Sequence, residues 1–123
     1  MRTFLSRIAA AVSLAADRFI VPVTPQYLAL EGLVNLFHSV EMVREGFGHC
    51  AELLGILITL ADYRVRATAE LVEMIRSHYE EVVFRGEIRG NIRLAEAPSF
   101  GRTIFQHDGG SVGTEAYYRL AKE

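Results

Sequence analysis

The sequence has 123 residues, 50% hydrophobic and 23% charged, with a formal net charge of −2. That composition fits one globular domain and excludes a disordered chain, and 13 basic against 15 acidic residues exclude a strongly basic nucleic-acid module while leaving room for a local basic patch. No proline-free uncharged run exceeds nine residues, against the roughly 20 a spanning helix needs; one cysteine, Cys50, leaves no internal disulfide, and His38, His49, His78 and His107 lack zinc-ligand spacing.

Residues 1–16 read MRTFLSRIAAAVSLAA. Basic, then apolar, then small residues make a weak signal-peptide pattern. Against it, Arg7 cuts the apolar run, and Leu5, Ile8, Val12 and Ala15 recur at helical spacing, which favours a helix. Residues 18–23 contain FIVPV, a buried-strand pattern. Thr24 as N-cap and Pro25 at the first helical position then start a long helix. It runs to about Glu45 with Leu30, Leu33, Phe37, Val40 and Val43 inward, and Gly46 and Gly48 end it. Residues 52–60 contain LLGILITL, the best candidate for a central strand. Residues 62–66 form a charged loop, and 68–81 a second amphipathic helix with Leu71, Val72, Ile75 and Tyr79 inward. Residues 82–88 read as a third strand, 91–100 as irregular or a single turn, and 102–105 as extended. A turn at 108–110 leads to a last helix capped by Ser111 and ending at Lys122.

Strands joined through helices of this length require parallel crossovers. The expected fold class is therefore α/β: three layers, with a mostly parallel sheet flanked by helices. In such sheets ligands sit beyond the carboxyl ends of the strands, here residues 23–26, 59–66 and 88–93.

Catalytic motifs are sparse. The single lysine, Lys122, lies at the chain end, so no Walker A motif is present, and G-x-G-x-x-G is missing too. Residues 109–113 match G-x-S-x-G, but no histidine follows Ser111, and a glycine turn with a helix cap explains the match. His107-Asp108 reads as a solvated loop and Cys50 as a half-buried loop thiol. No catalytic residue and no metal site is expected. Arginine remains: twelve of the 13 basic residues are Arg, a bias that suits phosphate and carboxylate contacts and that GC-rich coding would also produce. Arg64 and Arg66 follow the central strand, and Arg89 and Arg93 follow the third. Neighbouring strands lie about 4.8 Å apart, so these loops share a rim. The four arginines form either one cationic surface or isolated residues paired with Asp62, Glu87 or Glu96.

Several segments resemble the ParA/Soj partition ATPases, a deviant Walker branch that includes MinD. Residues 15–23, AADRFIVPV, are similar to that family's A-A-D-x-x-[IVL]-[IV]-P-V strand. Residues 27–33, YLALEGL, match its helix entry, and GILITL at 55–60 with Asp62 and Arg64 matches G-[IV]-[LV]-L-T-[ML]-x-D-x-R. The most specific piece is NIRLAEAPSFG at 91–101, close to N-V-R-L-x-E-A-P-S-x-G, and residues 111–123 are similar to the closing segment. Two places depart: I-P-R-N reads Ile88-Arg89-Gly90-Asn91, and D-x-R-T reads Asp62-Tyr63-Arg64-Val65.

The resemblance implies the C-terminal half of a P-loop NTPase-like fold. Residues 1–123 are read as a single partial domain lacking the Walker A and D-x-P-P segments: a fragment, a decayed gene product or a stand-alone half. It implies a role in chromosome or plasmid partitioning. Arg64 and Arg93 correspond to residues tied to sequence-independent DNA contact by the nucleotide-loaded dimer, with Arg66 and Arg89 as helpers on the same rim. Thr59, Gly90 and Asn91 fall at the adenine side. ATP and Mg²⁺ are the family's cofactors; neither is expected to bind this chain tightly alone, because the phosphate-cradling lysine and magnesium carboxylate are not encoded. The purified chain is expected to release no phosphate from Mg-ATP above a buffer blank. Implied partners are non-specific DNA, weakly held; a ParA-like chain or a second copy; and a ParB-like protein. No membrane is involved, and the implied location is cytoplasmic, at the nucleoid. A different class of function is an interaction module that pairs with a separate chain bearing the P-loop.

Overall fold

Alternation of β-branched apolar runs with amphipathic segments produces three parallel strands in the order β1-β2-β3: Arg18–Val23, Glu52–Ala61 and Val83–Arg89. The computed structural model describes residues 11–123, of which 11–15 are helical. The signal-peptide pattern and most of the N-terminal helix lie outside the described residues. Helix α1 (Tyr27–Phe47) crosses from β1 to β2, and α2 (Arg66–Tyr79) from β2 to β3. Short helices α3 (Ile92–Glu96) and α4 (Ile104–His107) follow, then α5 (Val112–Lys122). The parallel sheet flanked by helices is the α/β class the sequence implied.

The core lies between one sheet face and α1 and α2. Val21, Val23, Ile56, Ile58 and Val83 from the strands meet Leu33 from α1 and Val72 and Ile75 from α2. Ile56, Ile58 and Ile75 are wholly buried. On β2, Gly55 lets the Phe84 ring lie against the strand: a Cβ there would sit 2.6 Å from the ring. The two sheet edges differ. On β3, the Glu123 carboxylate accepts the backbone N–H groups of Arg85 and Gly86 at 2.5 and 3.1 Å. The outer edge of β1 has no hydrogen-bonded strand neighbour among the described residues.

Several boundaries move. Helix α1 begins two residues later than Thr24-Pro25 suggests, with Gln26 as its extended N-cap. Pro25 is buried, the Gln26 N–H donates to the Thr24 carbonyl at 2.7 Å, and a residue before proline is disfavoured in the helical region, which accounts for the later start. Gly48, at φ 70°, closes α1 as expected. Helix α2 runs 66–79 rather than 68–81, because Glu80–Val82 turns as a 3₁₀ helix, and β3 shifts by one residue. Residues 92–100 are helical, α3 and a 3₁₀ turn at Ala97–Phe100, with Asn91 as the extended N-cap. The expected extended segment at 102–105 is instead the start of α4. Thr103 and Gln106 form a reciprocal capping box there, which satisfies two otherwise orphaned amides. Ser111 caps α5 as expected, accepting the Thr114 N–H at 3.1 Å. Cys50 is buried rather than half-buried.

Candidate DNA-contact rim

The carboxyl ends of β2 and β3 are brought into line by an irregular residue. Ile58 pairs with Glu87 and Thr59 with Ile88, then Ala61 with Arg89, so Leu60 bulges out of the ladder. Leu60 takes a left-handed φ of 53° while 63% exposed. For a leucine that conformation costs about 1–2 kcal/mol, and strain of this kind concentrates at functional sites. Its consequence is positional: the bulge sets Ala61 beside Arg89 and so carries the Asp62–Arg64 loop against the end of β3.

There Tyr63 and Arg89 stack, with the guanidinium carbon 4.6 Å from the ring centre. The Tyr63 hydroxyl donates to Glu87 at 2.5 Å, and Arg76 of α2 holds the other Glu87 oxygen at 2.8 Å. Arg76 also donates to the Phe84 and Arg85 carbonyls, which ties α2 to β3. Burial first, and the Glu87 hydrogen bond second, push the Tyr63 phenol above its ordinary pKa. Neither Tyr63 nor Arg76 was singled out from the sequence. The aromatic residue between Asp62 and Arg64 was the available signal for Tyr63; nothing local marked Arg76.

A cleft of about 710 Å³ is walled by Asp62, Tyr63, Arg64, Arg89, Gly90 and Asn91, among others. Four of the seven expected site residues, Arg64, Arg89, Gly90 and Asn91, therefore meet in one place. Arg64 grips Asp62 with two hydrogen bonds, Nε to Oδ1 at 2.9 Å and Nη2 to Oδ2 at 2.8 Å, yet its side chain is 91% exposed. Two of five guanidinium N–H groups are thus used, and three face solvent. Asn91 caps α3 by accepting the Arg93 N–H at 2.9 Å. Arg93 turns toward Glu96 at 3.2 Å and Asp108 at 3.4 Å. Arg66 is exposed at the first position of α2, and Thr59 is half-buried inside β2. Arg66, Arg93 and Thr59 are not walls of this cleft. Arg64 and Arg89 share this cleft, while Arg64 and Arg93 are each paired with carboxylates and still largely exposed. His107 is no solvated loop residue. It stacks on Phe100 at 5.0 Å and hydrogen-bonds Glu96 at 3.1 Å, a contact that, ahead of Arg93, holds Glu96 below the usual carboxylate range.

The Arg64 hydrogen bonds hold Asp62 down at a pKa of about 2. Because the folded value lies below the ordinary one of about 3.9, the stabilisation from this pair is present above pH 4 and is lost as pH falls through about 2. An NMR titration of the Asp62 carboxyl should show this, and Arg64→Ala should return the midpoint to the ordinary range.

Among the described residues no group of three or more His, Cys, Asp or Glu side chains is placed to hold a metal, and no helix is long and apolar enough to cross a membrane. No protein-family model matches the chain. Over 109 residues it is 47% identical to the chromosome-partitioning ATPase Soj of Thermus thermophilus and 38% identical to the chromosome partitioning protein ParA of Myxococcus xanthus. Each alignment covers 89% of this chain, but only 44% and 38% of those proteins, so the chain spans about two-fifths of the length of the curated relatives it matches. Among solved structures, apo McdA from Cyanthece matches with a TM-score of 0.78 at 15% identity. That match covers 94% of this chain and 47% of McdA, and it shows a shared fold.

Proposed function

We propose that this chain, a homologue of the Soj/ParA chromosome-partitioning proteins over 89% of its length, works as a partial ParA-like protein whose strand-end rim holds DNA without reading its sequence. The carrying observation is the convergence of Arg64 and Arg89 on one cleft, with solvent-facing donors left on both. Guanidinium groups on a shared rim bind phosphates and position a duplex, but carry no base readout. Arg93 and Arg66, both exposed though not walls of the cleft, are its helpers in this reading. The reading places the protein in the cytoplasm at the nucleoid, with a ParB-like partner by relation to the partitioning proteins. A salt titration of binding to random-sequence duplex DNA tests it; no binding at about 20 mM salt overturns it.

The residues present fit a nucleotide only in part. Gly90 has open space where a Cβ would stand, and with Asn91 and Ala61 at the end of β2 it offers a wall for an adenine; Thr59 lies two residues back inside the strand. They do not fit the phosphates or Mg²⁺: Lys122, the single lysine, lies in α5 against the Tyr118 ring at 4.5 Å. No catalytic step is assigned to this chain.

A second reading, an interaction module completed by another chain, is favoured by the β1 edge, which has no hydrogen-bonded strand neighbour among the described residues. Tyr27, Leu28, Val34, Met42 and Phe47 of α1 are also exposed. Bare edges and apolar patches of this kind recruit further chains. The 123-residue chain is expected to form homo-oligomers, to aggregate, or to bind a ParA-like chain. Sedimentation velocity at micromolar concentration checks this; a monodisperse monomer with one sharp thermal transition counts against it.

A further inference from the structure

Strand β3 does not run evenly beside β2. Ile56 pairs with Val83 and Ile58 with Glu87, so residues 84–86 bulge out of the ladder opposite Leu57. Two peptide groups in this bulge are held from both ends. The Arg76 guanidinium donates to their carbonyls, Phe84 O at 3.1 Å and Arg85 O at 3.2 Å. Their N–H groups, on Arg85 and Gly86, donate to the two carboxylate oxygens of Glu123 at 2.5 and 3.1 Å. A cation on the carbonyl side polarises a peptide group and strengthens its N–H as a donor. Successive amides that converge on one ligand make an anion-binding nest. Among the described residues the Glu123 carboxylate forms no ion pair, so backbone amides rather than a cation hold it.

Glu123 is the C-cap of α5, and α5 is fastened mainly at its two ends. At its start, Gly113 lies so close to Leu94 that a Cβ would stand 2.7 Å from that side chain, and the Thr114 hydroxyl donates to the Asp108 carbonyl. Gly113 and Thr114 are the only buried residues of the helix. Farther along, a cavity of about 250 Å³ opens between Gly86 and Arg89 of β3 and Ala116 and Arg119 of α5. The polar side chains of the last turns turn back on the helix itself: Arg119 pairs with Glu115, and Lys122 lies over the Tyr118 ring. Glu123 therefore supplies the polar fastening of this end to the sheet.

We propose that the 84–86 bulge is a carboxylate-binding site filled in cis by Glu123, and that the two form a latch closing α5 over the edge of β3. Closed, the latch satisfies two amides of an edge strand, groups that otherwise invite pairing with another chain. Open, it frees the C-terminal half of α5 about its anchored start and leaves the nest to another carboxylate. The geometry sets the ligand class. Two adjacent amides match the two oxygens of one carboxylate, and a cation finds no acceptor there because the carbonyls of the same peptide groups face Arg76. This inference is independent of DNA binding at the arginine rim.

Amide hydrogen exchange, read residue by residue on the full chain, tests it. In Glu123→Ala the amides of Arg85, Gly86 and residues 119–122 should exchange at least about tenfold faster, while those of Ile75 and Val83 in the core keep the wild-type rate. Acetate should restore slow exchange at Arg85 and Gly86 in this variant but leave residues 119–122 fast, because a free carboxylate fills the nest without tethering α5. Chloride at the same ionic strength should restore neither. Gly86→Ala is the control: its Cβ would stand 3.6 Å from the Glu123 carboxylate, an ordinary contact, and the latch should stay closed. Unchanged exchange at Arg85 and Gly86 in Glu123→Ala overturns the proposal. So does acetate that protects neither amide, and so does a loss of protection that extends equally to Ile75 and Val83, which makes Glu123 a support of the whole fold rather than a latch.

Discussion

Replacing Arg64 and Arg93 together by alanine should weaken DNA binding about a hundredfold at low salt and halve its salt dependence. Four arginines on the rim, one phosphate contact each, give a slope of log affinity against log salt of about −3.6, and two give about −1.8. The starting affinity is weak, on the order of 10⁻⁴ M for non-specific binding by few contacts. A hydrogen bond to a charged group is worth at least about 1.5 kcal/mol, near tenfold in affinity, so losing two such contacts costs about a hundredfold at low salt. Arg89 and Arg66 remain, which is why the residual slope should be halved rather than zero. The intramolecular pairs sharpen the test. Asp62 holds two of the Arg64 donors, so Asp62→Asn should loosen that grip and tighten DNA binding severalfold. If the double alanine variant keeps wild-type affinity and slope, these arginines are not the contact. If Asp62→Asn weakens binding, Arg64 needs the carboxylate to be aimed outward, and the pair is a positioning device rather than a competitor.

The rim itself was legible because strand ends in a parallel sheet are fixed by pattern alone. The apolar run at 52–60 and the helix after it put Arg64 and Arg66 beyond a strand, and the run before Arg89 did the same for the next one. Which of those arginines face one cleft was not legible. That depends on the bulge at Leu60, a left-handed leucine that no local residue signal announces, and on the Tyr63 ring that Arg89 covers. Arg93 shows the limit from the other side. Its position matched, but its direction is set by Glu96 and Asp108, and Asp108 follows α4, where residues 102–105 read as extended in the sequence. There the capping box between Thr103 and Gln106 was visible in the sequence and outweighs the β-branched Thr103 and Ile104. Thr114 completes the turn: its hydroxyl donates to the Asp108 carbonyl at 2.5 Å, with the Ile104 carbonyl also within reach at 3.2 Å. The homology to partitioning proteins covers these segments without resolving their geometry, since identity of this order preserves the fold rather than each side-chain direction.

Ile75→Ala should be the most destabilising single substitution at a position remote from the rim, and it should disturb the rim nonetheless. Ile75 is wholly buried and packs with Val72, Val83, Ile56 and Ile58 between α2 and the sheet. Truncation removes its transfer free energy and leaves a cavity, a combined cost of about 2–5 kcal/mol. A domain of this size has about 5–15 kcal/mol in total, and a β1 edge unpaired among the described residues argues for the lower end. The urea midpoint should therefore fall by a third or more. Met74→Ala is the control: its side chain is half out in solvent, and its loss should cost under about 1 kcal/mol. The functional consequence runs through the next residue. Arg76 follows Ile75 on α2 and holds Glu87 at 2.8 Å, while Glu87 holds the Tyr63 hydroxyl under Arg89. An α2 that no longer seats Ile75 loosens that chain of contacts, so the Tyr63 phenol, raised by burial and by Glu87, should fall back toward its ordinary pKa in Ile75→Ala and stay raised in Met74→Ala. Absorbance titration of the phenol separates the two variants. A large loss of stability with the Tyr63 midpoint unmoved would show that α2 packing and the rim are uncoupled.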